Sequence, residues 1–365
     1  MSLKKDNFTN FDKRIMRFAI NLAYKNNGLT GVNPSVGCVI VKNKNIVSCG
    51  YTNVNGIPHA ETIALSKNKI KNIGSTVYIT LEPCSHYGKT PPCTNALINS
   101  KVKKVFFSIN DFDYRVINKS KNKLNKKKII VKKGLLSEEA KKLYKNYNFI
   151  KNKNFPYITG KIACSSNFFI FKNKNLITNE HSHKVSHLLR YRNQGILTTY
   201  KTINSDNPKL NCRLNGLEKF SPIKLIIDKD LKIKINSNII KSSKKFTTYI
   251  FHHSNNIKKM KKLKLHGVKL VKQDIKFDGY FDLNKLFKTI FNLGIQNVLV
   301  ECGKDLTYKM LKSGLINEFF LFKSNNKIIN REKLSILSIN RLLKFFKKKK
   351  QVKTFLDKDT LIHYY

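Results

Sequence analysis

The sequence predicts two successive α/β domains, and three observations carry that prediction. At 365 residues the chain is long enough for two domains that each bury a core. The polar run Lys151-Asn152-Lys153-Asn154 interrupts apolar periodicity just before the strand-like Phe155-Pro156-Tyr157-Ile158, as an interdomain link does. Beyond it, short apolar runs alternate with helical ones, the pattern of an α/β domain around a mostly parallel sheet. The boundary is placed near residue 150, giving domains over 1–150 and 151–365.

The first element is an amphipathic helix carrying Ile15, Phe18, Ala19, Leu22 and Ala23 on one face. Asp6, Asp12, Arg14 and Arg17 interrupt its apolar positions, which suits a helix better than a signal peptide. Val36-Gly37-Cys38-Val39-Ile40-Val41 and Val77-Tyr78-Ile79-Thr80-Leu81 read as short buried strands, and His59 to Leu65 as the start of a helix. In the second half, strands are expected at Tyr157–Ala163, Gly195–Thr199, Lys224–Asp228, Thr247–His252 and Asn297–Glu301. Helices are expected near Glu180–Tyr191 and Leu283–Leu293. No internal repeat is visible.

The most informative motif is His59-Ala60-Glu61, followed by Pro83-Cys84 and, after eight intervening residues, Cys93. A catalytic zinc is held by three nitrogen and sulfur ligands with its fourth position open to water, and His59, Cys84 and Cys93 meet that count. Soft thiolates favour zinc over other divalent ions. Glu61 is not a ligand. Two residues past the His, it is placed as general acid and base, the role of the Glu in the H-x-E signature of zinc nucleobase deaminases. A structural zinc would want a fourth ligand, which His86 could supply; the Glu favours the catalytic reading.

The seven cysteines are an odd number and widely spread, so a disulfide framework is not expected and a cytoplasmic protein is. No apolar run of about 18 residues occurs, so no membrane span is expected. Net charge is +49, which on its face points to nucleic acid. The lysines, however, are dispersed with Asn and Ile along the whole chain, as an AT-biased coding sequence produces, and no nucleic-acid-binding motif accompanies them. No specific nucleic-acid partner is expected.

The loop Cys84-Ser-His-Tyr-Gly-Lys-Thr-Pro-Pro-Cys93, with Asn33-Pro34-Ser35-Val36-Gly37 and Thr80-Leu81-Glu82-Pro83 around it, resembles the deaminase half of the bifunctional riboflavin-biosynthesis deaminase/reductase family. The resemblance implies a cytidine-deaminase-like three-layer α/β/α domain acting on a phosphoribosyl diaminopyrimidinone. Asn33, His86, Lys89 and Thr90 fall on its substrate positions. Lys89 also has a physical reason, since a flexible ammonium suits a ribose phosphate. The family's Asp-Pro-Asn-Pro segment appears as Asp111-Phe112-Asp113-Tyr114, of which Asp111 alone matches cleanly.

The second half resembles the reductase of the same family through Phe155-Pro156-Tyr157-Ile158 with Lys161, Leu188-Leu189-Arg190, Gly195-Ile196-Leu197-Thr198, Thr202, Asp206-Asn207-Pro208, Leu210, Arg213 and Val300-Glu301-Cys302-Gly303. This implies a dihydrofolate-reductase-like α/β domain that uses NADPH, and a chain that assembles as a homo-oligomer. By family position Arg190, Leu210, Arg213 and Glu301 bind substrate, while Lys161, Asp206 and Glu301 orient the sugar and manage protons. Ala163, Leu176, Thr202, Asp206, Gly303, Lys304, Asp305 and Leu306 contact the cofactor. Departures occur at Ser165-Ser166-Asn167-Phe168, where a turn glycine and a carboxylate are missing, at Leu176 for Trp, at Lys229 for Ser, and at Lys323 to Ile328. The alternatives are therefore a deaminase with a degenerate reductase domain, or a basic nucleic-acid-binding or nucleic-acid-deaminating protein.

Overall fold

The computed structural model describes residues 8–170, 177–327, 334–335 and 344–365. They form two compact units, Met1–Asn154 and Phe155–Tyr365. The expected linker is instead the end of a helix, closed by Asn154 at φ 49°, and the division falls just after it.

The first unit runs α1 (Asn10–Tyr24), β1 (Gly37–Lys42), β2 (Asn45–Tyr51), α2 (Ala60–Ser66), α3 (Lys69–Asn72), β3 (Thr76–Leu81), α4 (Cys93–Asn99), β4 (Lys104–Ile109), α5 (Lys119–Asn125), β5 (Ile130–Lys133), α6 (Ser137–Leu143) and α7 (Lys145–Lys153). Thr9 caps α1 in a reciprocal capping box with Asp12. Its buried stripe is Ile15, Met16, Ala19, Ile20, Leu22 and Ala23, and Phe18 is left 38% exposed. The sheet order is β2-β1-β3-β4-β5, with β1 antiparallel to both neighbours and β3, β4 and β5 parallel.

Two glycines set the layers of this unit. A Cβ on Gly37 would lie 1.9 Å from the Ala19 carbonyl oxygen of α1, and one on Gly50 would lie 2.4 Å from the Ala60 carbonyl oxygen of α2. Gly50 stands opposite Cys38, the residue after Gly37, so the two glycines face opposite sides of the sheet. Helices α1 and α2 therefore cover opposite faces, which is the α/β/α sandwich. The close approach of α2 also fixes its first turn, where His59 and Glu61 sit. Gly50→Ala is expected to cost about 1–3 kcal/mol by overpacking and to weaken zinc retention, read by thermal unfolding and metal content.

The second unit runs β6 (Tyr157–Cys164), β7 (Phe169–Ile170), α8 (Glu180–Tyr191), β8 (Gly195–Thr199), α9 (Tyr200–Asp206), β9 (Ile223–Ile227), α10 (Asn238–Lys241), β10 (Thr248–His252), α11 (Ile257–Leu265), β11 (Lys269–Lys272), α12 (Leu283–Asn292), β12 (Asn297–Val300), α13 (Lys304–Lys312), β13 (Glu318–Lys323), β14 (Leu334–Ser335), β15 (Lys349–Gln351) and β16 (Thr360–Tyr364). Its main sheet is β11-β10-β9-β8-β12-β6-β13-β16-β15. Pairing is parallel from β11 through β13 and antiparallel across β16 and β15, so the parallel sheet expected from sequence gains an antiparallel edge. The turn that lacks its glycine is made by Phe168 at φ 64°, a conformation that is costly for a bulky side chain. Lys323, the first of the C-terminal departures, lies over the Phe168 ring at 4.6 Å, so two departures pack on each other.

Candidate active sites

In the first unit, each expected zinc ligand sits at the end of an element. His59 is the N-cap of α2, Cys93 opens α4 after Pro92, and Cys84 follows β3. His59 Nδ1 lies 3.2 Å from Cys93 Sγ and 3.7 Å from Cys84 Sγ, and the three ligand atoms lie within 4.8 Å of one another. A tetrahedral centre with bonds of about 2.0 Å to nitrogen and 2.3 Å to sulfur separates those atoms by roughly 3.5 Å, so the donor set fits zinc in spacing as well as chemistry. Among the described residues no other His, Cys, Asp or Glu joins this group; His86 is outside it, so the fourth ligand of a structural site is missing. The Cys93 thiol and its backbone N–H, which donates to Cys84 Sγ at 3.2 Å, hold the Cys84 thiol well below its usual range against its burial, and His59 assists. Serine at Cys84 or Cys93 is expected to release the metal, read as zinc per chain by atomic absorption.

Glu61 is 4% exposed. Burial first, then the charge of Cys84, pushes its carboxyl up to about 7, with His59 opposing. A carboxyl poised near neutrality can both take and give a proton. Glu61 lines a cavity of about 260 Å³ together with His59, Cys84, Asn33, His86, Lys89 and Thr90. Cys93 stands behind that lining, 1% exposed. His86 Nδ1 is buried without a hydrogen-bond partner among the described residues. Sequence reasoning missed Glu82, whose buried carboxylate accepts the N–H groups of Asn118 (3.1 Å) and Ser120 (3.2 Å) and the Ser120 hydroxyl (2.7 Å). Glu82 thereby holds the loop where the family segment departs. An acid between Leu81 and Pro83 at the end of an apolar strand was the available signal.

In the second unit, Arg190 of α8 grips Glu301 by two parallel bonds, Nε to Oε1 and Nη2 to Oε2, each 2.9 Å, with both side chains 12% exposed. Arg190 Nη1 donates to the Asn211 carbonyl at 3.3 Å. Burial would raise the Glu301 carboxyl, but Arg190 and Lys161 outweigh it and bring it down to about 2. Lys161, on β6, is pulled below the ordinary lysine range by burial, with Glu301 opposing, and its Nζ lies 5.3 Å from the centre of the Phe322 ring. His187 is a further residue missed from sequence. It accepts the Arg213 backbone N–H at Nδ1 (3.3 Å), and burial, then Arg190 and Arg213, hold it down to about 4, so it is neutral at pH 7. The spacing His183, His187, Arg190 marks one face of a helix and was its signal.

A second cavity, about 710 Å³, is lined by Thr199, Thr202, Lys229, Gly303, Lys304, Asp305 and Leu306 among others. Gly303 N-caps α13, and a Cβ there would meet nothing within 4 Å, so the first turn of that helix is open to a ligand. A helix start with cationic Lys304 and Lys309 in the same lining fits the phosphates of a nucleotide. Lys229 donates to the Gly279 carbonyl at 3.2 Å. Of the other expected cofactor residues, Ala163 packs with Phe322, Leu356 and Leu361 outside that lining, and Asp206 is exposed, accepting the Ser205 hydroxyl at 2.6 Å. Leu176 lies outside the described residues. Leu210 is 4% exposed, its side chain in the core beside Ile196 and Ile203. Arg213 is exposed, with Nη1 donating to Asn211 Oδ1 at 3.1 Å.

The cytidine and deoxycytidylate deaminase zinc-binding region matches residues 9–109, and the RibD C-terminal domain matches residues 171–324. The riboflavin biosynthesis protein RibD of Aquifex aeolicus is 34% identical over 349 residues, which is 93% of this chain and 94% of that protein. The chain belongs to the RibD family. The Escherichia coli RibD is 31% identical over 85% of this chain and 87% of its own. An Acinetobacter baumannii RibD structure superposes with a TM-score of 0.82 at 27% identity, and a Thermotoga maritima deaminase/reductase structure with 0.80 at 28% identity, each covering 97% of this chain and 98% of its own. The RibD match runs through both halves and favours neither a deaminase alone nor a nucleic-acid-binding protein. A deaminase-like zinc-binding domain and a reductase domain are thus joined in one RibD chain. Among the described residues no helix is long and apolar enough to cross a membrane.

Proposed function

We propose that the chain deaminates 2,5-diamino-6-(5-phosphoribosylamino)pyrimidin-4(3H)-one and then reduces the ribosyl group to give 5-amino-6-(5-phosphoribitylamino)uracil. The observation that carries this reading is Glu61, buried beside a three-ligand zinc cluster in a RibD chain whose second unit assembles Lys161, Arg190 and Glu301.

In the first reaction water adds to the ring carbon that bears the 2-amino group, and the carbon–nitrogen bond then breaks. Zinc, when bound by His59, Cys84 and Cys93, supplies the Lewis acidity that makes water a nucleophile near neutral pH. Glu61 carries the first proton of the water to the ring nitrogen and the second, from the new hydroxyl, to the departing amine, which leaves as ammonia as the carbonyl forms. Asn33, His86, Lys89 and Thr90, which line the cavity, hold the substrate.

In the second reaction a hydride reaches sugar C1', the bond from C1' to the ring oxygen breaks, and that oxygen takes a proton. NADPH supplies the hydride when bound. The open turn at Gly303 to Leu306, with Thr202, would hold its phosphates. Lys161, which feels the charge of Glu301, is the proton donor, and Glu301, fixed by Arg190, orients the sugar hydroxyls. Arg190 has its forked edge spent on Glu301, which leaves Arg213 as the exposed guanidinium for the phosphate. Asp206, which is exposed, would act on the sugar by its family position alone. Two thiolate ligands call for a reducing compartment, so we place the chain in the cytoplasm. Fluorescence titration should show tighter binding of NADPH than of NADH; equal or absent binding of both would remove the cofactor assignment.

A further inference from the structure

The deaminase cavity has a cationic wall that the zinc chemistry does not use. The buried carboxylate of Asp113 accepts the Arg115 backbone N–H at 3.0 Å, Arg115 Nε at 2.9 Å, Arg115 Nη2 at 2.6 Å and Lys151 Nζ at 3.1 Å. An ionised carboxylate offers about four lone-pair directions, and all are taken, so Asp113 is an anchor and not a ligand-binding group. The cations are not exhausted. A guanidinium carries five N–H donors and an ammonium three, and only the bonds to Asp113 draw on them among the described residues.

Both cations line the cavity that contains Glu61 and Lys89. The acids that share this lining are turned elsewhere: Glu82 accepts the N–H groups of its loop, and Asp111 accepts the Tyr147 hydroxyl at 3.2 Å and the Asp113 N–H at 3.0 Å. Exposure rises along the cavity, from 4% for Glu61 to 25% for the Lys151 side chain and 52% for that of Arg115. A substrate whose ring reaches Glu61 has these two partly exposed cations in the lining of the same cavity.

We propose that Arg115 and Lys151, held in place by Asp113, bind the substrate phosphate in the deaminase cavity that Lys89 also lines. The proposal rests on the deaminase reading above. Charge-assisted hydrogen bonds to phosphate are directional at a guanidinium and adaptable at an ammonium, and the pair combines both.

The test measures ammonia release by the full zinc-loaded chain on the phosphoribosyl substrate and on its dephosphorylated ribosyl analogue. Arg115→Ala and Lys151→Ala should each raise KM for the phosphorylated substrate roughly tenfold, acting on KM and not on kcat. The gap between the two substrates should narrow accordingly, and Arg115→Lys and Lys151→Arg should restore much of it. An equal rise of KM on both substrates, or none on the phosphorylated one, would overturn the proposal. Calorimetric titration with ribose 5-phosphate reads the same subsite without chemistry, and the wild type should show a site that both alanine variants lack. Should the wild type release no ammonia, the deaminase reading fails, while this titration still decides the anion subsite.

Discussion

Glu61→Gln should reduce ammonia release by roughly 10²–10⁴-fold, the usual contribution of a positioned general acid and base, while the protein keeps its zinc. The glutamine has the shape of the acid without its proton traffic. Glu61 is outside the ligand set, since the three donor atoms that cluster are those of His59, Cys84 and Cys93. Metal content and thermal stability should therefore stay near wild type. The variant should still oxidise NADPH when given the deaminated intermediate, because Lys161, Arg190 and Glu301 belong to the other unit. Loss of zinc together with activity would instead make Glu61 a structural element of the metal site.

Glu301→Ala should both stop NADPH oxidation and destabilise the second unit by about 3–5 kcal/mol, the cost of leaving one half of a buried ion pair uncompensated. Arg190 would keep only its bond to the Asn211 carbonyl, and Lys161 would lose its opposing charge. The pH dependence has a definite sign. The Glu301 carboxyl is held near 2 in the fold, below its ordinary value of 4.5, so its stabilisation is complete above that ordinary value. It is lost as pH falls from there through about 2. Acid titration of the wild type should show this loss in the second unit, and the alanine variant should not. Glu301→Gln separates the two effects, since it keeps the shape and some hydrogen bonds. An NADPH oxidation rate near that of wild type in Glu301→Gln would show that the charge serves only the fold.

Elements made of contiguous apolar or amphipathic runs are legible in the sequence alone. Glu180–Tyr191 forms the helix its periodicity predicts, and Tyr157, Gly195 and Asn297 begin strands where expected, because each of those strands buries itself in a parallel sheet and is apolar nearly throughout. The strand at Thr360–Tyr364 escapes such a reading, since it is short, only partly buried and pairs antiparallel with Glu318–Lys323 across a long stretch of chain. The zinc cluster is legible because H-x-E and the two Pro-Cys pairs are chemical signatures with a spacing. Asp113, Arg115 and Lys151 are not. Lys151 lies 38 residues from Asp113, and in sequence it looks like one more charge in a polar linker. Only the packing of α7 turns that lysine into a wall of the deaminase cavity. Likewise Phe168 reads as a missing glycine, whereas its ring beneath Lys323 shows how the turn is held.

If one chain carries two consecutive activities, a single coupled assay reveals both. The purified, zinc-loaded protein would be given the phosphoribosyl diaminopyrimidinone and NADPH, with ammonia release and NADPH oxidation followed as separate traces. Ammonia should appear in both the presence and the absence of NADPH, and NADPH oxidation should follow ammonia release and be abolished by Glu61→Gln. Ammonia without NADPH oxidation would contradict the reductase half, and oxidation that proceeds without ammonia would contradict the order of the two reactions.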